Sequence, residues 1–377
     1  MKVLQICSFY AINKLYRNLF EDLNNIDIES DIYIPCKPKL IPNNIRNNEF
    51  YSSEYKNGDN IFEKIFNIFS QYEYYSKNNK IYSNMKEKIN FKNYNFIHAH
   101  SLFENGYLAY KAKLEFGIDY IVAVRNTDVN GYFKRAIHLR KIGIEIMKNA
   151  KKVIFISPSY RELVLKKYVK KEEVSLLKNK CEVIPNGIDP FWFNSMVNKP
   201  RRIENNSEIK LIQACRIDNN KNLETSIKIC KELRRSGINC YLSIVGDGPN
   251  KNNLIKKYGS LNYVKFYDKQ AKEELSELYD NNHIFIMPSK YETFGLVYVE
   301  AMSRGLPIIY TKGQGIDKFF ADGEVGYPIV YNSINEGVEA FNKIINNYSN
   351  ISKNSLKYCK LFSWEIIAKN YKNIYLE

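Results

Sequence analysis

Two glutamates eight residues apart, Glu292 and Glu300, lie in a stretch with the local pattern of a ligand site. His283 to Met287 is a short apolar run that stops at Pro288; Thr293 offers a hydroxyl to cap a helix, and Gly305 with Pro307 closes that helix. The helix N-terminus then faces the carboxyl edge of the preceding strand. Free backbone N–H groups and the helix dipole favour an anion such as a phosphate at that place, and open α/β sheets bind their ligands along that edge. The two carboxylates are separated by roughly 12 Å at ~1.5 Å per residue, so they would touch opposite ends of an elongated ligand. Taken alone, the pair fits better as two solvated acids on an amphipathic helix.

Two cations fall in an equivalent position. Arg216 follows the apolar run Lys210 to Ala214, and Lys221 comes five residues later at a predicted helix start, with Asn219-Asn220 making the turn. A guanidinium clamps phosphate oxygens in a bidentate fork and an ammonium acts as a point charge, so the two together suit a diphosphate. By themselves they read equally well as solvated surface cations. Val245-Gly246-Asp247-Gly248-Pro249 is a tight strand-to-helix turn that lacks the full G-x-G-x-x-G fingerprint, so a nicotinamide site is not supported and a structural turn is the default.

The elements that must position these residues come in two alternating series. Strands are predicted at Val3 to Cys7, Ile28 to Ile34, Phe96 to Ala99, Tyr120 to Val124 and Val153 to Ser157, with helical runs such as Leu15 to Leu23 between them and a loop from Pro35 to Asp59. The pattern breaks at Val183-Ile184-Pro185-Asn186-Gly187-Ile188-Asp189-Pro190. A second series follows, with strands at Lys210 to Ala214, Tyr241 to Val245, Val264 to Tyr267, His283 to Met287 and Leu306 to Tyr310, and helices starting near Lys221, Asn250, Lys272 and Thr293. Alternating strands and helices imply an α/β fold with mostly parallel, doubly wound sheets. Phe362-Ser363-Trp364 through Tyr371 reads as a terminal amphipathic helix. The expected domains are residues 1–190, 191–360 and a closing helix over 361–377, with the carboxyl ends of both sheets facing a central cleft.

Composition narrows the partners. With 377 residues the chain exceeds one typical core, and 45% hydrophobic with 26% charged residues is ordinary for a folded protein. The net charge of +15 attracts phosphates, nucleic acid and anionic lipid alike. No zinc-finger spacing, RNA-binding signature or Arg-rich arm occurs and the cations are dispersed, so nucleic acid is not expected. Seven cysteines, odd in number, widely spaced and without a C-x-x-C pair, imply reduced thiols in the cytoplasm and no zinc site. The strand-like start at Met1-Lys2-Val3 and the absence of a long apolar run leave only peripheral contact with a membrane.

In their order and spacing, Ile184-Pro185-Asn186-Gly187-Ile188-Asp189, Arg216, Lys221, Gly246-Asp247-Gly248-Pro249 and Glu292-x7-Glu300 resemble the retaining glycosyltransferases of family 4, from about Phe96 to the C-terminus. The resemblance implies the GT-B architecture: two Rossmann-like domains, the second holding a nucleotide-sugar donor, the first an acceptor, and a tail that braces the first. It further implies that Arg216 and Lys221 bind the donor diphosphate, that Glu292 hydrogen-bonds the transferred sugar, and that Glu300 binds the ribose. The N–H groups of Phe294, Gly295 and Leu296 would cradle the distal phosphate, with Gly246 and Thr293 on the donor side too. The base would sit near Lys265 to Asp268, where Asp268 stands in place of the usual glycine. No metal or other cofactor is expected: the cations and helix end already offset the diphosphate charge, and no D-x-D occurs.

The first domain departs from the family. Ser8-Phe9-Tyr10-Ala11-Ile12-Asn13 lacks the glycine-rich loop, and in Val124-Arg125-Asn126-Thr127-Asp128 an arginine replaces the family's histidine. Arg125 either meets an anionic group or forms a structural ion pair with Asp128. His100 and Asn186 are expected to line the cleft, and His98 to be structural. Phe62, Ile65, Phe66 and Phe69, followed by Tyr72, Tyr74 and Tyr75, form a stripe that fits core packing better than docking on a membrane. The expected activity is retaining transfer from a nucleotide diphosphate sugar, UDP-sugar favoured, to a glycan or lipid-linked saccharide acceptor in surface polysaccharide synthesis. The expected location is the cytoplasm, with the anionic inner face of the plasma membrane as a peripheral contact. A sugar-nucleotide epimerase on the same fold and a non-catalytic partner in glycan assembly are the rival readings.

Overall fold

A computed structural model describes residues 1–53, 71–197, 199–203 and 208–377. The chain divides into two compact units, one of Met1–Asn186 with Trp364–Glu377, the other of Gly187–Ser363. Of the stripe predicted over residues 61–75, Phe62, Ile65, Phe66 and Phe69 lie outside the described residues. Tyr74 is buried, Tyr75 half-buried and Tyr72 exposed.

In the first unit the strands are β1 (Lys2–Ile6), β2 (Glu29–Pro35), β3 (Glu49–Ser52), β4 (Phe96–Ala99), β5 (Tyr120–Val124), β6 (Lys152–Phe155) and β7 (Cys181–Val183). They hydrogen-bond in the order β3-β2-β1-β4-β5-β6-β7, every pair parallel. Near-continuous apolar runs such as Tyr120-Ile121-Val122-Ala123-Val124 produce this arrangement, because a parallel sheet covered on both faces buries both sets of alternating side chains. Leu4, Ile6, Ile97, Val122 and Phe155 enter one core. Val3, Ile32, Ile121, Ala123 and Ile154 enter the other.

The second core is completed by the end of the chain. Trp364, Ile367, Ala368, Tyr371, Ile374 and Tyr375 recur at helical spacing along Trp364–Leu376 and pack into it, against the helix Lys14–Asn24. Asn13 starts that partner helix by accepting the Leu15 N–H at 3.0 Å, so the glycine-free loop after β1 ends in an ordinary side-chain cap.

The second unit repeats the pattern with β8 (Ile209–Ala214), β9 (Cys240–Val245), β10 (Val264–Tyr267), β11 (Ile284–Met287), β12 (Ile308–Thr311) and β13 (Gly326–Ile329). The order is β10-β9-β8-β11-β12-β13, again all parallel. Both units therefore have the doubly wound α/β topology expected from the alternating runs. In each the strand order reverses once, between β1 and β4 and between β8 and β11, and such a reversal opens a crevice beyond the strands' carboxyl ends. Phe285 pairs with Ile212 in parallel register, so two residues further on Met287 comes level with Ala214, and the segments after these strands emerge side by side.

Three strands were not anticipated: β3 in the presumed loop, β7, and β13. All three are edge strands, short and partly polar, and β13 tolerates Pro328 because an edge can forgo a ladder N–H. All seven cysteines are free, six of them buried and Cys215 half-buried. No helix of the described residues is long and apolar enough to cross a membrane.

Because Ile367 is 0% exposed within the second core, Ile367→Ala is expected to cost about 2–5 kcal/mol, whereas Lys369→Ala on the exposed face of the same helix is expected to stay within about 0.5 kcal/mol. Denaturant unfolding checks both, and equal effects would contradict the packing of this helix.

Candidate functional site

The reversal point of the second unit carries the predicted constellation. Lys221 follows β8 and Glu292 follows β11, and the ammonium meets the carboxylate at 2.5 Å. Their side chains are 20% and 12% exposed, so the pair is largely shielded yet open on one side. Neither loop is left to wander. Asn220 accepts the Tyr291 N–H at 3.0 Å and donates to the Tyr291 carbonyl at 2.8 Å, while the Lys290 N–H donates to the Asn220 carbonyl at 2.8 Å. Buried Gln213, at the end of β8, donates to the Lys221 carbonyl at 2.8 Å.

A left-handed backbone at Asn222, φ 51°, turns the chain into the helix Leu223–Arg235. Asn222 also donates to the carbonyls of Pro288 at 3.1 Å and Tyr331 at 2.6 Å, tying a third loop to the same edge. Arg216 stands further out, 72% exposed, with Nε 3.6 Å from Asp218.

Glu292 is held from a direction that the sequence reading missed. Gln314 Oε1 accepts the Glu292 N–H at 3.1 Å, and the Gly315 N–H donates to the Glu292 carbonyl at 2.7 Å. Gly315 has φ 52°, and a Cβ there would stand 2.9 Å from Glu292 Cγ and 2.8 Å from the Phe294 carbonyl. Only a glycine lets this loop close on the acid. The available signal was Gly313-Gln314-Gly315 directly after an apolar strand.

The helix following Glu292 begins later than predicted. It spans Leu296–Ser303, and Gly295 at φ 82° occupies its cap position. Thr293 is therefore no cap: its N–H donates to Glu292 Oε1 at 3.2 Å, and the turn into the helix is made by the left-handed glycine. The Phe294 ring is buried against Phe319 and Phe362, so its backbone is the part available to a ligand. The first N–H groups of the helix have no intrahelical acceptor and present an anion-binding end beside Lys221 and Glu292.

Glu300, one face further along this helix, makes no hydrogen bond or ion pair through its carboxylate among the described residues. Burial pushes its carboxyl up to about 7, opposed by Lys272 and reinforced by Asp189, which pair with each other. Gly246 packs against the chain after β8: a Cβ would lie 1.9 Å from the Cys215 carbonyl oxygen, so this glycine allows the close approach that sets the position of the following Arg216. Lys265 and Asp268 lie at and beyond the edge strand β10, with Lys265 Nζ 4.8 Å from the Tyr267 ring centroid and Asp268 paired to Lys251. Among the described residues no three His, Cys, Asp or Glu side chains gather as a metal site would require.

In the first unit His100 departs from expectation. It is 0% exposed, with Nε2 2.8 Å from Gln5 Oε1 and its ring edge-on to Tyr16 and Phe20, so it belongs to the interior and lines no open surface. His98, also 0% exposed, bonds Tyr375 at 2.7 Å. Burial holds both imidazoles well below the usual histidine range, and both are neutral.

The proposed ion pair of Arg125 with Asp128 is absent. Asp128 accepts the backbone N–H groups of Leu102 at 3.0 Å, Phe103 at 3.1 Å and Arg125 at 2.8 Å, binding the turn after β5 to the chain after β4. Burial outweighs these bonds and lifts its carboxyl to about 6. The guanidinium of Arg125 instead reaches Asn186 Oδ1 at 3.1 Å.

With this geometry in hand, comparison with known proteins is specific. The family model "Glycosyltransferase Family 4" matches residues 17–191 and "Glycosyl transferases group 1" matches residues 197–359. The alpha-monoglucosyldiacylglycerol synthase of Acholeplasma laidlawii is 30% identical over 209 residues, 52% of each chain, so the match spans about half that relative's length. Among solved structures, the sucrose-phosphate synthase of Thermosynechococcus elongatus is similar with TM-score 0.73 at 19% identity, covering 100% of this chain and 98% of that one. HepE of Anabaena, in complex with UDP and glucose, is similar with TM-score 0.65 at 15% identity, covering 100% and 99%. These structures share the two-sheet GT-B fold with the chain.

The raised carboxyl of Glu300 makes a prediction about the protein without ligand. Its pKa is about 7 when folded against the ordinary 4.5, so the folded form holds a proton that the unfolded chain has released, and stability falls as pH rises through that window. Glu300→Gln is expected to remove this fall: thermal midpoints of variant and parent should agree at pH 4.5 and diverge in the variant's favour above pH 7. Parallel profiles across the range would contradict the assignment.

Proposed function

The chain belongs to the group 1 glycosyltransferases, matched by their family 4 model in its first half, and from that premise we propose that it transfers a sugar, with retention of anomeric configuration, from a nucleotide diphosphate sugar to a glycan or lipid-linked saccharide. The observation that carries the proposal is the Lys221–Glu292 pair, seated after the two central strands β8 and β11 beside the N-terminus of Leu296–Ser303. An ammonium and free helix N–H groups suit a diphosphate, and a carboxylate next to them suits sugar hydroxyls. The solved HepE complexes with UDP, UDP and glucose, and UDP-glucose support a UDP-sugar as donor. The Acholeplasma relative's name supports an acceptor at a lipid surface, and the net charge of +15 suits peripheral contact with anionic lipid from the cytoplasm.

In this reading Lys221 and Arg216 offset the charge that develops on the diphosphate as its bond to the sugar's anomeric carbon breaks. Glu292 orients the sugar by its hydroxyls, and Glu300 accepts hydrogen bonds from the ribose. The acceptor hydroxyl attacks from the face the nucleotide leaves, forming the new glycosidic bond, and its proton passes to the departing phosphate oxygen. No protein carboxylate is needed as nucleophile.

Incubation with UDP-, GDP- and ADP-sugars and lipid-linked saccharides, read by mass spectrometry and by NMR of the new anomeric centre, is expected to give an elongated, configuration-retained product. Lys221→Ala and Glu292→Gln should each lower kcat/KM by about a hundredfold or more, the range for losing one charge-stabilising group. Full activity in both variants, or isomerised nucleotide sugar formed without acceptor, would overturn the proposal.

A further inference from the structure

Among the described residues, the first unit contains a buried cation paired with no anion. Arg125, at the carboxyl end of β5, is 7% exposed. Its Nε donates to the His100 carbonyl at 3.3 Å and one terminal nitrogen donates to Asn186 Oδ1 at 3.1 Å. The Tyr371 side chain, on the C-terminal helix, lies near the guanidinium, which is 5.8 Å from the Tyr16 ring centroid.

Each of these partners is neutral. The Cys7 thiol nearby is pushed up to about 12 by burial and stays protonated, as do the buried phenols of Tyr16 and Tyr371. His98 and His100 are neutral too. The neighbouring carboxylate, Asp128, is committed to three backbone N–H groups. A guanidinium has five donors in a planar fork, and the two acceptors, the His100 carbonyl and Asn186 Oδ1, leave part of that fork unused. Burying such a charge against neutral groups alone is costly, and structure retains it where something else supplies the counter-charge.

We propose that Arg125 is a specificity-determining residue that receives an oxyanion, carboxylate or phosphate, carried by the sugar acceptor. The inference rests on the sugar-transfer reading above. Asn186, half-buried after β7, fixes one edge of the fork and the His100 carbonyl fixes another. The planar fork held in this way suits a bidentate anion better than a neutral hydroxyl.

The test is calorimetric titration of the full chain and of Arg125→Gln with inorganic phosphate in the presence of UDP. Phosphate is expected to bind the UDP-loaded parent, and Arg125→Gln to weaken that binding about tenfold or more, as loss of a charge-assisted pair requires. Arg125→Gln leaves UDP affinity unchanged and keeps the thermal midpoint within about 3 °C of the parent or above it, because removing an unpaired buried charge offsets the lost hydrogen bonds.

No phosphate binding to the UDP-loaded parent overturns the inference while leaving the donor reading intact. Phosphate binding that survives Arg125→Gln, or a large fall in midpoint that Arg125→Lys restores without any phosphate binding, also overturns it, the latter by making the guanidinium a brace. Failure of UDP to bind either protein counts against the donor reading, and phosphate binding without UDP then decides the role of Arg125.

Discussion

The contact between Lys221 and Glu292 depends on nearly everything else in the second unit. Two loops that leave neighbouring parallel strands must be level, which the β8–β11 register provides, and each must be held at its tip. Asn220 joins the loops to one another, Gln213 holds the lysine from below, and Gln314 with Gly315 closes on the glutamate from the side. The ion pair is shielded enough that its charges interact strongly, so any ligand that separates them must replace both partners. A diphosphate next to hydroxyls does so.

The same topology has been used differently at the other reversal point. Between β1 and β4 the strand ends carry Gln5, His98 and His100, and these close on one another: His100 bonds Gln5, Gln5 donates to Ser30 at 3.2 Å, and His98 bonds Tyr375. Two ring nitrogens, His98 Nε2 and His100 Nδ1, have no partner among the described residues. This polar interior is neutral and aromatic-walled, and it sets Arg125 apart as the single described cation of that cluster. Strand order thus determines where a site can form, and the side chains at the strand ends determine whether it opens to a ligand.

Much of this was legible in the residues because buried parallel strands write themselves as apolar runs and the site residues follow those runs directly. Lys221 and Glu292 were singled out in that way, and the structure brings their side chains together. The edge strands β3, β7 and β13 were not, since a strand paired on one side needs less apolar surface. Thr293 was misread as a cap because a hydroxyl before an apolar run satisfies the local rule, whereas the left-handed turn at Gly295 decides where the helix starts. His100 follows an apolar strand in the same way as the site residues do, and nothing local indicates that Tyr16, Phe20 and Gln5, from far along the chain, cover it. Gln314 and Gly315 act on Glu292 from the loop after β12, a contact visible only in three dimensions.

The division of labour between Lys221 and Glu292 is tested most directly by comparing the affinities of UDP and a UDP-sugar for the parent, Lys221→Ala and Glu292→Gln. If the lysine holds the diphosphate and the glutamate holds the sugar, Lys221→Ala weakens both ligands alike, by about tenfold or more for a lost charge-assisted contact. Glu292→Gln then weakens the UDP-sugar and leaves UDP unchanged or tighter, because the lysine is released from its partner. Equal weakening of both ligands by Glu292→Gln, or no effect of Lys221→Ala on either, would contradict it.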